Sequence, residues 1–188
     1  MVSKAQLQDY VFNASTIRAV IGLGNPGARY AKTRHNIGFR VVENLAAQLN
    51  AAWQSTDKMD VAQASMTVDG SVSSVYLIKP QTFMNDSGKV MSFLTKKGIK
   101  PEQVVVVHDE LEKPFGNLSM RFGGSAKGHN GLRSIMGVVG AEFWRLRFGI
   151  GRPENRDEVG DYVLTPFTRL EEDKIGQLLD QACRLIFG

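Results

Sequence analysis

The chain has 188 residues, 43% hydrophobic and 22% charged, which is the composition of a single ordinary globular domain and excludes a disordered one. Its single cysteine, Cys183, excludes an intrachain disulfide framework and any multi-cysteine zinc site, and it fits a reducing compartment. The net charge of +4 is unevenly spread: Lys113 to Arg156 holds eight basic and two acidic residues, and Asp157 to Gly188 holds three basic and seven acidic ones. In chain order, Thr16–Leu23 reads as a buried strand, β-branched and stopped by glycines. Gly24–Asn36 is a loop rich in Gly, Pro and Asn. Ile37–Asn50 places Val41, Val42, Leu45, Ala46 and Leu49 on one helical face. Val61–Val68 and Val72–Ile78 flank Asp69-Gly70, a hairpin signal. A polar loop, Lys79–Asp86, precedes a helix over Ser87–Lys97 that Gly98 and Pro101 end. Val104–His108 is a continuous β-branched run, as expected of a strand covered on both faces. Asn117–Phe122 reads as a strand, Gly123–Gly131 as a glycine-rich loop, Leu132–Val139 as a helix and Arg145–Ile150 as a strand. Leu170–Ile186 is a terminal helix with Cys183 in its core-facing pattern.

Helices interleaved with strands predict an α/β domain: a single layer of mixed, mostly parallel sheet flanked by helices. In such sheets ligands bind beyond the strand ends, and the unusual residues of this chain lie in the loops that follow strands. No stretch approaches the ~18 apolar residues of a membrane helix, so no membrane association is expected. Met1 to Arg18 lacks the apolar core and the Arg-rich face of a targeting leader.

Gly22-Leu23-Gly24-Asn25-Pro26-Gly27 formally matches the dinucleotide fingerprint G-x-G-x-x-G. That fingerprint must open directly into a helix whose N-terminus holds pyrophosphate. Here Pro26 stiffens the loop, and the next helical pattern begins about ten residues on. A plain tight turn, a dinucleotide site and a loop presenting Asn25 to a substrate all remain open.

The three histidines lie in polar loops or at a strand end, each beside an amide or acid: His35-Asn36, His108-Asp109-Glu110 and His129-Asn130. A His/Asp/Glu metal site is conceivable, but no ligand spacing such as H-E-x-x-H occurs, and no metal or other cofactor is expected. No G-x-S-x-G elbow and no G-x-x-x-x-G-K-[ST] loop occurs either. A histidine, a carboxylate and several loop asparagines remain, a set suited to activating water and positioning a carbonyl. Gly123 to Gly131 carries four glycines and leads into a helix, a composition that admits close backbone approach to phosphate or sugar. Arg121, Lys127 and Arg133 nearby favour an anion there. The basic zone as a whole suggests a polyanionic partner, nucleic acid first, against the alternative of a solvated face.

The motifs taken together resemble the bacterial-type peptidyl-tRNA hydrolase family: Gly22–Gly27, Tyr30, Thr33–Asn36, Lys79–Asn85, His108–Glu110, and Gly123-Gly124 with Gly128–Leu132. The resemblance runs from about Ile17 to Thr165, with residues 1–15 as an extension before a single domain over 16–188. It implies hydrolysis of the ester between a peptide and the 3′ ribose of tRNA, recycling tRNA from aborted translation, by a cytoplasmic monomer without metal. His35 matches the family's catalytic histidine and Asp109 its acidic partner. Asn25, Asn85 and Asn130 match substrate-positioning asparagines, Tyr30 a tyrosine at the tRNA end, and Met84 the apolar neighbour of Asn85. Arg121 and Arg147 fall where the family carries basic residues near tRNA phosphate, and Lys127 and Arg133 extend that set. Ser119 stands where many members have lysine, and Lys127 where glycine is common. Two other classes stay open: a non-catalytic RNA-binding relative, and a dinucleotide-dependent oxidoreductase.

Overall fold

In the computed structural model, residues 10–68 and 70–188 are described; Asp69 of the expected turn and residues 1–9 of the expected extension lie outside them. Seven strands form one sheet: β1 (Ala19–Gly22), β2 (Trp53–Ser55), β3 (Met59–Val68), β4 (Ser71–Pro80), β5 (Val104–Glu110), β6 (Leu118–Phe122) and β7 (Trp144–Gly149). Their order is β2-β3-β4-β1-β5-β7-β6. The four central strands run parallel, with Ile21 opposite both Ile78 and Val106, and Val107 opposite Leu146. Antiparallel partners extend the sheet at both ends. Three of the six pairings are parallel, and they join four of the seven strands at the centre of the sheet, so the sheet is mixed with a parallel centre and antiparallel edges. The β2-β3-β4 meander supplies one edge, and β6, joined to β7 through α3, supplies the other.

The helices are α1 (Ile37–Gln48), α2 (Met91–Lys96), α3 (Asn130–Val139), α4 (Val159–Val163) and α5 (Arg169–Phe187). Alternation along β5 divides the core. Val105 and Val107 pack with α1 and α5, and Val104 and Val106 with α2 and α3. Every residue of β5 is buried, which explains its unbroken apolar run. Cys183 sits 3% exposed in the layer formed by α1 and α5.

The glycines of the first motif serve packing. A Cβ on Gly22 would meet the Gly38 carbonyl at 2.2 Å, and one on Gly24 would meet the Phe39 ring at 2.7 Å. Their absence lets α1 lie directly on β1. The loop after β1 runs through short 3-10 turns, and no α-helix begins before Ile37. It therefore lacks the helix N-terminus that a pyrophosphate requires.

Residues before β1 also pack on the sheet. Tyr10 stacks on Phe122 at 4.1 Å between ring centroids, and Phe12 meets Trp144 edge-on at 5.0 Å. β1 has β4 on one side and β5 on the other, so the chain switches direction there. The crevice beyond the C-terminal ends of β1 and β5 is the topological position for a ligand.

Candidate active site

That crevice holds a carboxylate between two imidazoles. Asp109, near the end of β5, has a side chain 2% exposed, and its Oδ1 lies 2.8 Å from His35 Nδ1 and 3.0 Å from His129 Nε2. His35 comes from the 3-10 turn Arg34–Asn36 that leads into α1, and His129 is the N-cap of α3. The two rings lie 4.9 Å apart.

The hydrogen bonds fix the tautomers. His129 Nδ1 accepts the N–H groups of Gly131 and Leu132 at 3.2 and 3.4 Å. Its proton therefore resides on Nε2, which donates to Asp109. His35 likewise donates from Nδ1 to the same oxygen, and its Nε2 is left as a free base. His108 donates from Nδ1 to the Asp109 carbonyl at 2.7 Å, and its buried Nε2 has no partner among the described residues.

The protonation states follow. Burial disfavours the imidazolium of His35, but the charge of Asp109 and its hydrogen bond outweigh burial and raise the pKa above the ordinary value. Burial would raise the Asp109 carboxyl, yet His35 and His129 hold it well below the usual carboxylate range. Burial, assisted by His129, pushes His108 down to about 3, so it stays neutral.

His35, Asp109 and His129 place three potential metal-ligand atoms within 4.8 Å of one another. Their hydrogen bonds do not suit a metal. An ion on His129 Nε2 would displace its proton, and Nδ1 could not take that proton up while facing two backbone N–H donors. The ring would have to bind as imidazolate.

The histidine turn is anchored from the C-terminal end of the chain. Arg34, 4% exposed, binds Glu171 at 2.6 Å, Thr165 Oγ1 at 3.3 Å and the Pro166 carbonyl. Its guanidinium also lies over the Tyr162 and Phe167 rings. Glu171 caps α5 at the same time through the Thr168 N–H.

A cleft of about 1310 Å³ opens beside the imidazoles. His35, Asp109, Asn130, Arg121, Lys127 and Arg147 all line it, so these six sequence-selected residues are brought together. Asn25, Tyr30, Met84, Asn85 and Arg133 lie outside that lining. Asn25 is 8% exposed, and its Oδ1 accepts the Met84 N–H at 2.8 Å, which leaves only its amino group for a ligand. Met84 is buried with its sulfur against Gly131, beside His129. Asn85 is exposed at the start of the turn Met84–Val90, and Tyr30 is half-buried under the Arg29 guanidinium. Arg133 is exposed on α3.

Arg121 and Lys127 have no ion-pair partner among the described residues. Arg147 is held by Glu110 at 3.6 Å and by Ser119 Oγ at 3.2 Å, so the serine in the lysine position orients an arginine. Sequence reasoning assigned no site role to His129, Arg145, Arg152 or Arg156, all of which line the cleft. For His129, the His-Asn pair just before a helix was the available signal.

An imidazole paired with a buried carboxylate, at the mouth of a basic cleft, brings together the groups of an acid–base site. A sequence model described as peptidyl-tRNA hydrolase matches residues 19–187. The chain is 44% identical over 174 residues to the peptidyl-tRNA hydrolase of Sulfurihydrogenibium sp., covering 92% of this chain and 90% of that protein. It is 42% identical over 163 residues to that of Rickettsia africae, covering 86% and 87%. The crystal structure of peptidyl-tRNA hydrolase from Acinetobacter baumannii superposes with a TM-score of 0.84 at 35% identity, covering 94% of this chain and 89% of that one. The chain belongs to the peptidyl-tRNA hydrolase family.

Proposed function

We propose that this protein hydrolyses the ester joining a peptide's carboxyl terminus to the 3′ ribose of tRNA, with His35 as the base. The observation that carries the reading is the Asp109–His35 pair at 2.8 Å, which commits His35 Nδ1 to the carboxylate and leaves Nε2 as the nitrogen that can exchange a proton, on a ring that lines the cleft. Family membership supports the reaction, and the basic wall supports an RNA substrate.

In this reading His35 Nε2 takes a proton from water while the water oxygen bonds to the ester carbonyl carbon. Asp109 stabilises the imidazolium that forms. The bond from carbon to the ribose oxygen then breaks, and His35 returns its proton to that oxygen. An ester needs no stronger assistance, so no metal is assigned a part. His129 bonds the same oxygen of Asp109 and ties it to the start of α3.

Asn25, Asn85 and Asn130 are assigned to positioning the peptide. An amide offers N–H donors to a carbonyl and an acceptor to a peptide N–H. Pairing a peptide N–H beside the ester would spare unblocked aminoacyl-tRNA, by roughly 10²–10⁵-fold where such a group is required. Met84 and Tyr30 complete the substrate contacts, and Arg121, Lys127, Arg133 and Arg147 the phosphate contacts. The same reading has the enzyme acting as a cytoplasmic monomer. Among the described residues, no helix is long and apolar enough to cross a membrane.

The test is peptide release from N-acetyl-aminoacyl-tRNA, with unblocked aminoacyl-tRNA as the control. Release from the first and little from the second is expected. No release above the spontaneous rate from either would refute the reading.

A further inference from the structure

The segment between β6 and α3 has a backbone geometry that the hydrolytic chemistry does not use. Gly123 and Gly124 have φ of +62° and +103°, and Lys127 and Gly128 of +44° and +87°. Behind this loop lies Arg145, 3% exposed, on β7. Its guanidinium donates to the Gly124 carbonyl at 2.6 Å and to the Ser125 carbonyl at 2.7 Å. A trans peptide plane points its C=O and N–H in opposite directions. Drawing both carbonyls onto Arg145 therefore turns the N–H groups of Ser125 and Ala126 away from it. Among the described residues, the N–H groups of Gly124, Ser125, Ala126, Lys127 and Gly128 donate to no backbone acceptor. The flanking N–H groups do: Gly123 donates to Phe143 and His129 to Ala126. Successive free donors on a loop with left-handed residues are the features from which an anion-binding nest is built.

The charges around the loop are an independent observation. Arg145 is a buried cation without an ion-pair partner among the described residues, and its Nε is buried and unsatisfied. Arg121 lies against the loop, since a Cβ on Gly124 would touch its guanidinium at 3.4 Å. Lys127 projects from the loop itself. A merely solvated surface has no use for a desolvated guanidinium that grips the back of a loop.

We propose that Gly124–Gly128 is a phosphate-binding nest for a phosphodiester in the unpaired 3′ strand of the RNA substrate, with Arg145 as the positioning residue that aims its donors. His129 follows the loop directly, and its ring is 4.9 Å from that of His35, so the bound phosphate belongs to the last few nucleotides before the ester. The assignment to RNA rests on the function proposed above, whereas the phosphate chemistry does not.

The test follows the amide resonances of ¹⁵N-labelled protein during titration with the trinucleotide CCA, with adenosine and with inorganic phosphate. CCA should shift the amides of Gly124 to Gly128 saturably and bind about tenfold or more tightly than inorganic phosphate, because it adds charge-assisted contacts. Adenosine, which has no phosphate, should leave them in place. Arg145→Lys, which cannot hold both carbonyls in one fork, should weaken CCA about tenfold, and should raise KM for a CCA-linked ester more than it lowers kcat. Ala126→Pro removes one donor without touching Arg145 and should weaken CCA in the same direction, which keeps the test open if Arg145→Lys does not fold. Amides 124–128 that ignore CCA, or that move equally with adenosine, would overturn the nest. Inorganic phosphate binding as tightly as CCA would overturn its assignment to RNA. Normal CCA shifts in a protein that releases no peptide would leave the nest standing and remove the hydrolase reading.

Discussion

The two regions that line the cleft treat their charges in opposite ways. At one end Asp109 is buried and satisfied by His35 and His129, and Arg34 beneath the histidine turn is buried against Glu171. At the other end Arg121 and Lys127 are exposed and, among the described residues, unpaired, and of the cleft arginines only Arg147 and Arg152 reach a carboxylate of those residues. A fixed, internally neutralised centre is what proton transfer demands, because the base must hold one tautomer and one position. An uncompensated wall is what a polyanion demands, because each free cation can displace a counterion. On the function proposed above, the difference puts chemistry and substrate binding on separable residues.

The largest expected effect comes from the neutralised centre. His35→Ala should lower turnover by about 10²–10⁴-fold, the usual contribution of a general base, with tRNA affinity little changed. Quenched-flow measurement of turnover alongside binding of uncharged tRNA checks both halves. Activity within threefold of the unmodified protein would mean that another group activates the water.

Arg34→Met should destabilise the fold by about 3–5 kcal/mol, since it leaves Glu171 partly buried without its cation. Denaturant titration reads this directly. A change under about 1 kcal/mol would place the pair in the class of exposed bridges and detach the histidine turn from its C-terminal anchor.

Asp109→Asn should reduce turnover and move the acidic limb of the rate profile to lower pH. The sign follows from His35, whose pKa the carboxylate raises. The base is active when neutral, so activity in the unmodified protein is lost as pH falls through that raised pKa. Removing the charge lowers the pKa and lets the neutral base persist to lower pH. An unmoved limb would show that the two side chains are not coupled in the free enzyme.

The wall should give smaller and salt-dependent effects. Arg121→Ala should raise KM for full tRNA substrates and reduce the slope of log affinity against log salt by about 0.7–0.9. Arg147→Ala should do less, because Glu110 already offsets part of its charge. An intact salt slope in both variants would make the basic segment a solvated face.

How much of this was legible in the sequence depended on the reach of each interaction. The β5 run, the amphipathic helices α1 and α5 and the glycine-rich loop are local patterns, and they appear where periodicity puts them. β2 is only three residues and α4 only five, too short to show a period, and both were missed. The turn Met84–Val90 begins inside the expected polar loop, because its packing against α3 outweighs its polar composition. His35 and Asp109 could be paired through motif resemblance. Arg34 and Arg145 could not, because buried cations depend on partners far along the chain: Arg34 binds residues from Thr165 to Glu171, 131 to 137 positions away. Within the acidic C-terminal segment, Glu171 and Glu172 likewise find distant partners, binding Arg34 and Arg40 of the histidine turn and α1.

The central claim, that chemistry and binding are separable, is tested most directly by one comparison: hydrolysis of N-acetyl-aminoacyl-tRNA and of a single N-acetyl-aminoacyl nucleotide by His35→Ala and Arg121→Ala. His35→Ala should damage both substrates alike. Arg121→Ala should impair the full tRNA several-fold and the minimal substrate little, because the latter lacks the remote phosphates. Equal loss on both substrates in Arg121→Ala, or loss confined to full tRNA in His35→Ala, would contradict the account.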